Sequence, residues 1–315
     1  MSFLRRMLAW REANAECRRA ARLFAALSAG PLTEVSATLG EPELRHLRHT
    51  VFRINALLFL YAKLLRRPHE TELGVLLGAI THLLDHAYDH RAGADVASFE
   101  EIVMLHRPPD RDQPLQTALA TLAARAWRRI AAPALLAPRL HDMLDTQRRS
   151  LAQVGPTLDP TPLWELTSDK GFHSLCLYFA AVNERFGAEE AAALRAFGAY
   201  LQFMDDLEDL YEDRAEGRQS PVRGVLHGVR QGTVLFRAAL RDITAFYRPG
   251  RYGVRAFVAW LVLFHLGIMV GALIRELTRR LPPGFQAGLE RRQEWLSARV
   301  PFFYVAPAGY VPRRL

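Results

Sequence analysis

Residues 197 to 218 read FGAYLQFMDDLEDLYEDRAEGR, an apolar stretch that runs directly into six acids within the nine positions Asp205 to Asp213. At about one hundred degrees per helical residue, Asp205, Asp209 and Asp213 share one face with Gln202, and Glu208 and Glu212 flank them. Phe203, Leu207, Leu210 and Tyr211 turn to the other side. Like charges one turn apart each destabilise a helix by roughly 0.2–0.5 kcal/mol, so three stacked acids call for cations or plentiful water. The stripe holds neither cysteine nor histidine. Oxygen donors alone suit magnesium, which keeps several waters and is usually held by one or two carboxylates together with phosphate oxygens.

Working outward, Arg214 and Arg218 follow the acids directly. Acids meeting arginines suggest a metal and phosphate site. A second acidic pair stands upstream in HLLDHAYDH, residues 82 to 90, where Asp85 and Asp89 lie one turn apart on the face that also carries His82. On that face come Thr81, Gly78 and Gly74, small residues expected to leave an open lane for an apolar tail.

Apolar residues recur at three- and four-residue spacing along nearly the whole chain, and hairpin-bounded alternation is missing, so the fold class is all-α. The pattern predicts about ten helices, over 3–28, 42–66, 70–91, 113–130, 135–153, 161–186, 188–215, 221–246, 252–280 and 284–299. Breaks are expected at Gly30-Pro31, 107–114, 154–162, Pro249-Gly250 and 282–284. No linker or repeat divides the 315 residues, so residues 1–315 are expected to form one domain, with 1–30 a peripheral helix and 301–315 an irregular tail.

A net charge of +8, almost wholly from arginine, suits phosphate-bearing or anionic partners. It is scattered and accompanies no groove-reading motif, so no nucleic acid is expected. Cys17 and Cys176 stand far apart with no ligand pattern, which points to a reducing, cytoplasmic setting. The basic N-terminal helix also allows peripheral contact with a membrane surface. The nineteen-residue run from Ala256 to Ile274, broken only by His265, is long enough for a bilayer span. It is expected instead to be a core helix buried all round.

These stretches resemble the class I isoprenoid synthases, the all-helical superfamily of polyprenyl diphosphate synthases, squalene and phytoene synthases and terpene cyclases. FGAYLQFMDDLED, 197–209, is similar to the second aspartate-rich motif of polyprenyl synthases, with Gln202 before Asp205, Asp206 and Asp209. DLYEDRAEGR, 209–218, is similar to the DxxED…GR segment of squalene and phytoene synthases, and Asp85 and Asp89 match the spacing of their first motif. Lys170 in SDKGFHSLCLYFAA resembles the lysine of the KT motif, with glycine in place of threonine. The GKRxRP segment of chain-elongating synthases is missing.

The resemblance implies a helical bundle around a central cavity. It implies Asp85, Asp205 and Asp209 as catalytic residues and Asp85, Asp89, Asp205, Asp209 and Asp213 as ligands of magnesium, three ions with bound diphosphate, manganese being a substitute. Lys170, Arg214 and Arg218 would bind diphosphate, and Tyr88, Phe172, Phe179 and Gln202 would line the substrate pocket. The partner is then a prenyl diphosphate of roughly C15–C20 or longer, and a homodimer is compatible with the family. The missing elongation segment favours cyclisation or rearrangement of the allylic cation by a terpene synthase. The alternative is a prenyltransferase condensing two prenyl diphosphates. Two other readings stay open: a metal phosphohydrolase using His141-Asp142 or His82, His86 and His90, and a non-catalytic helical membrane protein.

Overall fold

The computed structural model describes residues 3–90, 94–248, 253–279 and 281–299. The expected turn at Pro249-Gly250 and the tail from Pro301 lie outside them. Among the described residues there are helices and no strand. The all-α expectation is met, with thirteen α-helices where ten were predicted. The chain divides into two compact units, one holding residues up to Ala62 and Pro68–Pro133, the other Lys63–Arg67 and Ala134–Trp295.

The first unit contains α1 (Phe3–Ser28), α2 (Thr33–Thr38), most of α3 (Glu41–Leu64), α4 (Thr71–His90), α5 (Ala94–Val103) and α6 (Pro114–Trp127). The short α2 and α5 were not predicted. Helix α1 buries Ala13, Cys17, Ala20 and Leu27 and belongs to the bundle. A buried polar knot fixes the start of α4. Asn55 on α3 donates to Glu16 on α1 at 3.2 Å, and the His69 ring bonds Asn55 at 3.0 Å. Glu72 then takes the guanidinium of Arg125 at 2.7 Å and that of Arg129.

The small residues of α4 have a packing role that overturns the open-lane expectation. A Cβ built on Gly78 would stand 2.6 Å from Cα of Val51, and one on Gly74 would stand 2.4 Å from Oδ1 of Asn55. Helix α3 lies directly in the lane.

The second unit comprises α7 (Pro133–Ser150), a 3-10 turn (Leu151–Gln153), α8 (Pro160–Val182), α9 (Ala188–Glu208), α10 (Leu210–Ala215), α11 (Val225–Phe246), α12 (Val254–Thr278) and most of α13 (Pro283–Arg299). Pro160 opens α8, where its missing N–H is no loss. Asn183 ends it and donates to Glu190 at 3.0 Å, and the Tyr247 hydroxyl also donates to Glu190. The return into α9 is thereby fixed. The core of the unit is the interior face of α9, with Leu194, Phe197, Tyr200, Phe203 and Leu207 buried, each such side chain contributing about 1.5–3 kcal/mol.

Helix α12 departs from expectation. It buries Phe257, Leu261, His265, Ile268 and Ala272 against α9 and α11, but Leu263, Leu266, Val270 and Leu277 are exposed on its opposite side. One half of its circumference is core and the other is bare.

Candidate functional site

The two acidic clusters lie in different units, and each has its own surroundings. In the first, Asp85 is half-buried and Asp89 exposed near the end of α4. His82 is buried, with Nε2 3.7 Å from Glu43 on α3, and Nδ1 of His86 stands 3.9 Å from the same carboxylate. Tyr88 is interior and donates to Glu100 on α5 at 2.5 Å.

The second cluster rests on the crossing of α8 and α9. A Cβ on Gly171 would stand 2.1 Å from the carbonyl oxygen of Gly198 and 2.8 Å from Cβ of Gln202, and one on Gly198 would stand 2.6 Å from Cα of Phe172. The two backbones therefore touch. Lys170, next to this contact, is carried to the acids of α9, where its charge favours the ionised forms of Asp205 and Asp206. The glycine after the lysine is a packing residue.

Gln202 donates to Asp206 Oδ1 at 3.0 Å and to Asp205 Oδ2 at 3.4 Å. Asp206 is buried, and its Oδ2 has no hydrogen-bond partner. Dehydration raises its carboxyl to about 6, the Gln202 bond and Lys170 pulling it down and Asp209 pushing it up. Asp213 is raised to about 8, by dehydration first and then by Asp209 and Asp206, with Arg218 opposing. Asp205 keeps an exposed edge, yet dehydration by its neighbours and the charges of Asp209 and Glu208 hold it well above the usual carboxylate range. Asp205, Asp206, Asp209 and Asp213 thus form one electrostatic group. The single helix predicted over 188–215 breaks at Asp209, but Asp209 N still bonds Asp205 O and Asp213 N bonds Asp209 O, each at 2.9 Å, so the stripe survives the break.

Arg218 reaches the cluster through a turn that needs Gly217. Helix α10 closes with Gly217 N bonded to Arg214 O and Arg218 N to Asp213 O, the paired bonds of a Schellman ending, with Gly217 at φ +70°. The chain folds back and sets Arg218 Nε 3.6 Å from Asp213. Gln219 N then bonds Gln153 O and Gln153 Nε2 bonds Gln219 O, both at 2.9 Å, and Leu158 N donates to the Gln219 side chain at 2.7 Å. Nothing stands within 4 Å of a Cβ on Gly217, so Gly217→Ala is limited to backbone strain. It should lower stability by about 1–2 kcal/mol, as read by denaturant titration.

Of the three expected cations, Lys170 and Arg218 stand with the acids. Arg214 is exposed and donates to the carbonyl of Arg223 at 2.7 Å, away from them. Phe172 and Phe179 are interior, and Phe172 carries the Arg195 guanidinium 4.0 Å above its ring. Asp206 is the ligand candidate that the facial argument passed over, although the DDxxD spacing contains it. Gln153 and Gln219 gave no signal in the sequence. The His141-Asp142 pair divides, His141 being exposed while Asp142 lies 3.9 Å from His173.

The donor set fits magnesium. All its atoms are carboxylate oxygens, one is buried without a partner, and burial, with the neighbouring acids adding to it, holds protons on groups that a dication would strip. Among the described residues no three acidic, imidazole or thiolate side chains come together closely enough to hold a metal ion by themselves, so an ion here would need further oxygen donors from water and phosphate. In the metal-free protein the raised carboxyls contribute stability that is complete below about pH 4 and is lost as the pH rises through 6 and then 8. Thermal melts across that range should fall with pH, and magnesium with diphosphate should flatten the decline.

No family model matches the chain, and no curated protein matches it in sequence. Among solved structures the chain is similar to a geranyltransferase from Legionella pneumophila, at 13% identity and a TM-score of 0.47, over 85% of this chain and 98% of that one.

Proposed function

We propose that the chain is a magnesium-dependent enzyme that ionises an allylic prenyl diphosphate and transfers the prenyl group to an acceptor. The observation carrying this reading is the buried Asp206, positioned by Gln202 and left with one unpartnered oxygen among three further carboxylates and two cations. Asp205, Asp206, Asp209 and Asp213 would hold metal, and a ligand role for Asp85 and Asp89 rests on the resemblance of their spacing to the first motif. Bound magnesium supplies the positive charge that stabilises departing diphosphate. Lys170 and Arg218 orient the diphosphate and share its charge. Gln202 fixes the Asp206 carboxylate, so that little reorganisation accompanies binding. The transfer reading is supported by the resemblance of residues 197–209 to the second aspartate-rich motif of polyprenyl synthases, in which Gln202 stands before Asp205, Asp206 and Asp209.

Cyclisation is the second reading, supported by the missing GKRxRP segment. One assay separates the two. Purified protein is incubated with geranyl, farnesyl or geranylgeranyl diphosphate, with and without magnesium and isopentenyl diphosphate. Products that need isopentenyl diphosphate or join two chains support transfer, and a cyclic product from one substrate supports cyclisation. No magnesium-dependent diphosphate release from any of them would exclude both.

A further inference from the structure

The bare side of α12 is continuous. Leu263, Leu266, Val270, Leu273, Ile274 and Leu277 fall within about one hundred degrees of its circumference and are between 39% and 69% exposed. Beyond the helix end Leu281 and Phe285 are exposed as well. Solvated faces of soluble helices carry charge, and apolar patches of this kind mark contact surfaces.

Helix α11 supplies the second half of the surface. It packs on α9 through Gly228 against Leu207 and Gly232 against Met204, and on α12 through Phe236, whose ring stacks on His265 at 4.2 Å. Its opposite face carries Arg230, Arg237 and Arg241, all exposed, beside Leu226 and Val234. The two helices pack on each other and on α9, and the aliphatic stripe of α12 and the arginine stripe of α11 each lie on the side turned away from α9. No exposed acid lies on either outward face. Asp242, half-buried, pairs with Arg241 at 2.8 Å.

We infer that this surface of α11 and α12 docks on an anionic lipid bilayer, with α12 lying along the interface. The arginines identify the occupant. Phosphate headgroups above acyl chains offer negative charge beside apolar area, whereas the same face of a second copy brings no acid to meet the arginines. The inner side of α12 argues against a span, because Arg275 and Glu276 are tied to Tyr211 of α10 and His265 to Tyr200 of α9.

The test is flotation of the full chain with phosphatidylcholine vesicles, with or without phosphatidylglycerol. Binding is expected with the anionic vesicles and at least tenfold less with phosphatidylcholine alone. The pair Leu266→Glu and Val270→Glu should lower binding at least tenfold. The pair Arg230→Glu and Arg237→Glu, which leaves the stripe intact, should lower it by roughly twenty-fold or more at low salt, about fivefold for each positive charge removed. All four sites are exposed, and circular dichroism should show wild-type melts. Equal binding by the leucine–valine pair, or none by the wild type, would overturn the inference. So would a dimer that this pair dissociates, which assigns the face to a second copy, or resistance to alkaline extraction, which indicates a span.

Discussion

Asp206→Asn is expected to lower magnesium-dependent diphosphate release by about a hundred- to a thousand-fold, the loss typical when one charge-stabilising group is removed from a reacting centre. The same substitution should raise the stability of the metal-free protein. Asparagine keeps the shape and still accepts from Gln202, but it removes a carboxylate whose ionisation is disfavoured to about pH 6 by burial and neighbouring acids. A displacement of about two pKa units corresponds to roughly 3 kcal/mol at most. The amide reclaims only part of that, because its NH2 inherits the place where Oδ2 now lacks a partner. Opposite movement of activity and stability identifies a functional carboxylate. A purely structural Asp206 would lose both together, and unchanged turnover would remove it from the site.

Gly171→Ala should have the largest combined effect of any conservative change. Its methyl would lie 2.1 Å from a carbonyl oxygen and 2.8 Å from Cβ of Gln202, and neither can swing away as a flexible side chain would. Helices α8 and α9 must separate by close to an ångström. Overpacking of this kind costs about 1–3 kcal/mol and sometimes more. The separation also moves Lys170 away from Asp205 and Asp206, and a misplacement on that scale can lower a rate by about a hundred-fold. Chemical denaturation and steady-state kinetics on the purified variant read the two losses. Gly198→Ala meets the same crossing from the other side and should reproduce them, whereas a fully active Gly171→Ala protein would show that the crossing does not set the site.

Much of this arrangement was legible in the sequence because helical periodicity is a property of single segments. The acid stripe of 205–213 and the long helices follow from spacing, and the lysine before the stripe from its resemblance to the KT motif. What escaped depends on partners distant in sequence. Helices α2 and α5 are too short to show a period. Asp209 interrupts a helix whose pattern continues on both sides. Gly74 and Gly78 read as an open lane until α3 is seen to fill it. Helix α12 is apolar on every side, so no periodicity could say which half is covered. The burial of Asp206 and the turning of Arg214 to the carbonyl of Arg223 likewise depend on how neighbouring segments pack.

The turn bearing Arg218 has a bearing on any attempt to transplant the acidic segment. Because Gln219 and Gln153 clasp each other's backbone, and the 3-10 turn before α8 thereby holds the cation in place, residues 188–219 are not a portable cassette. A chimera that inherits only this segment would carry the acids with their arginine unmoored. The smallest transplantable piece begins before Gln153 and brings Lys170 with it.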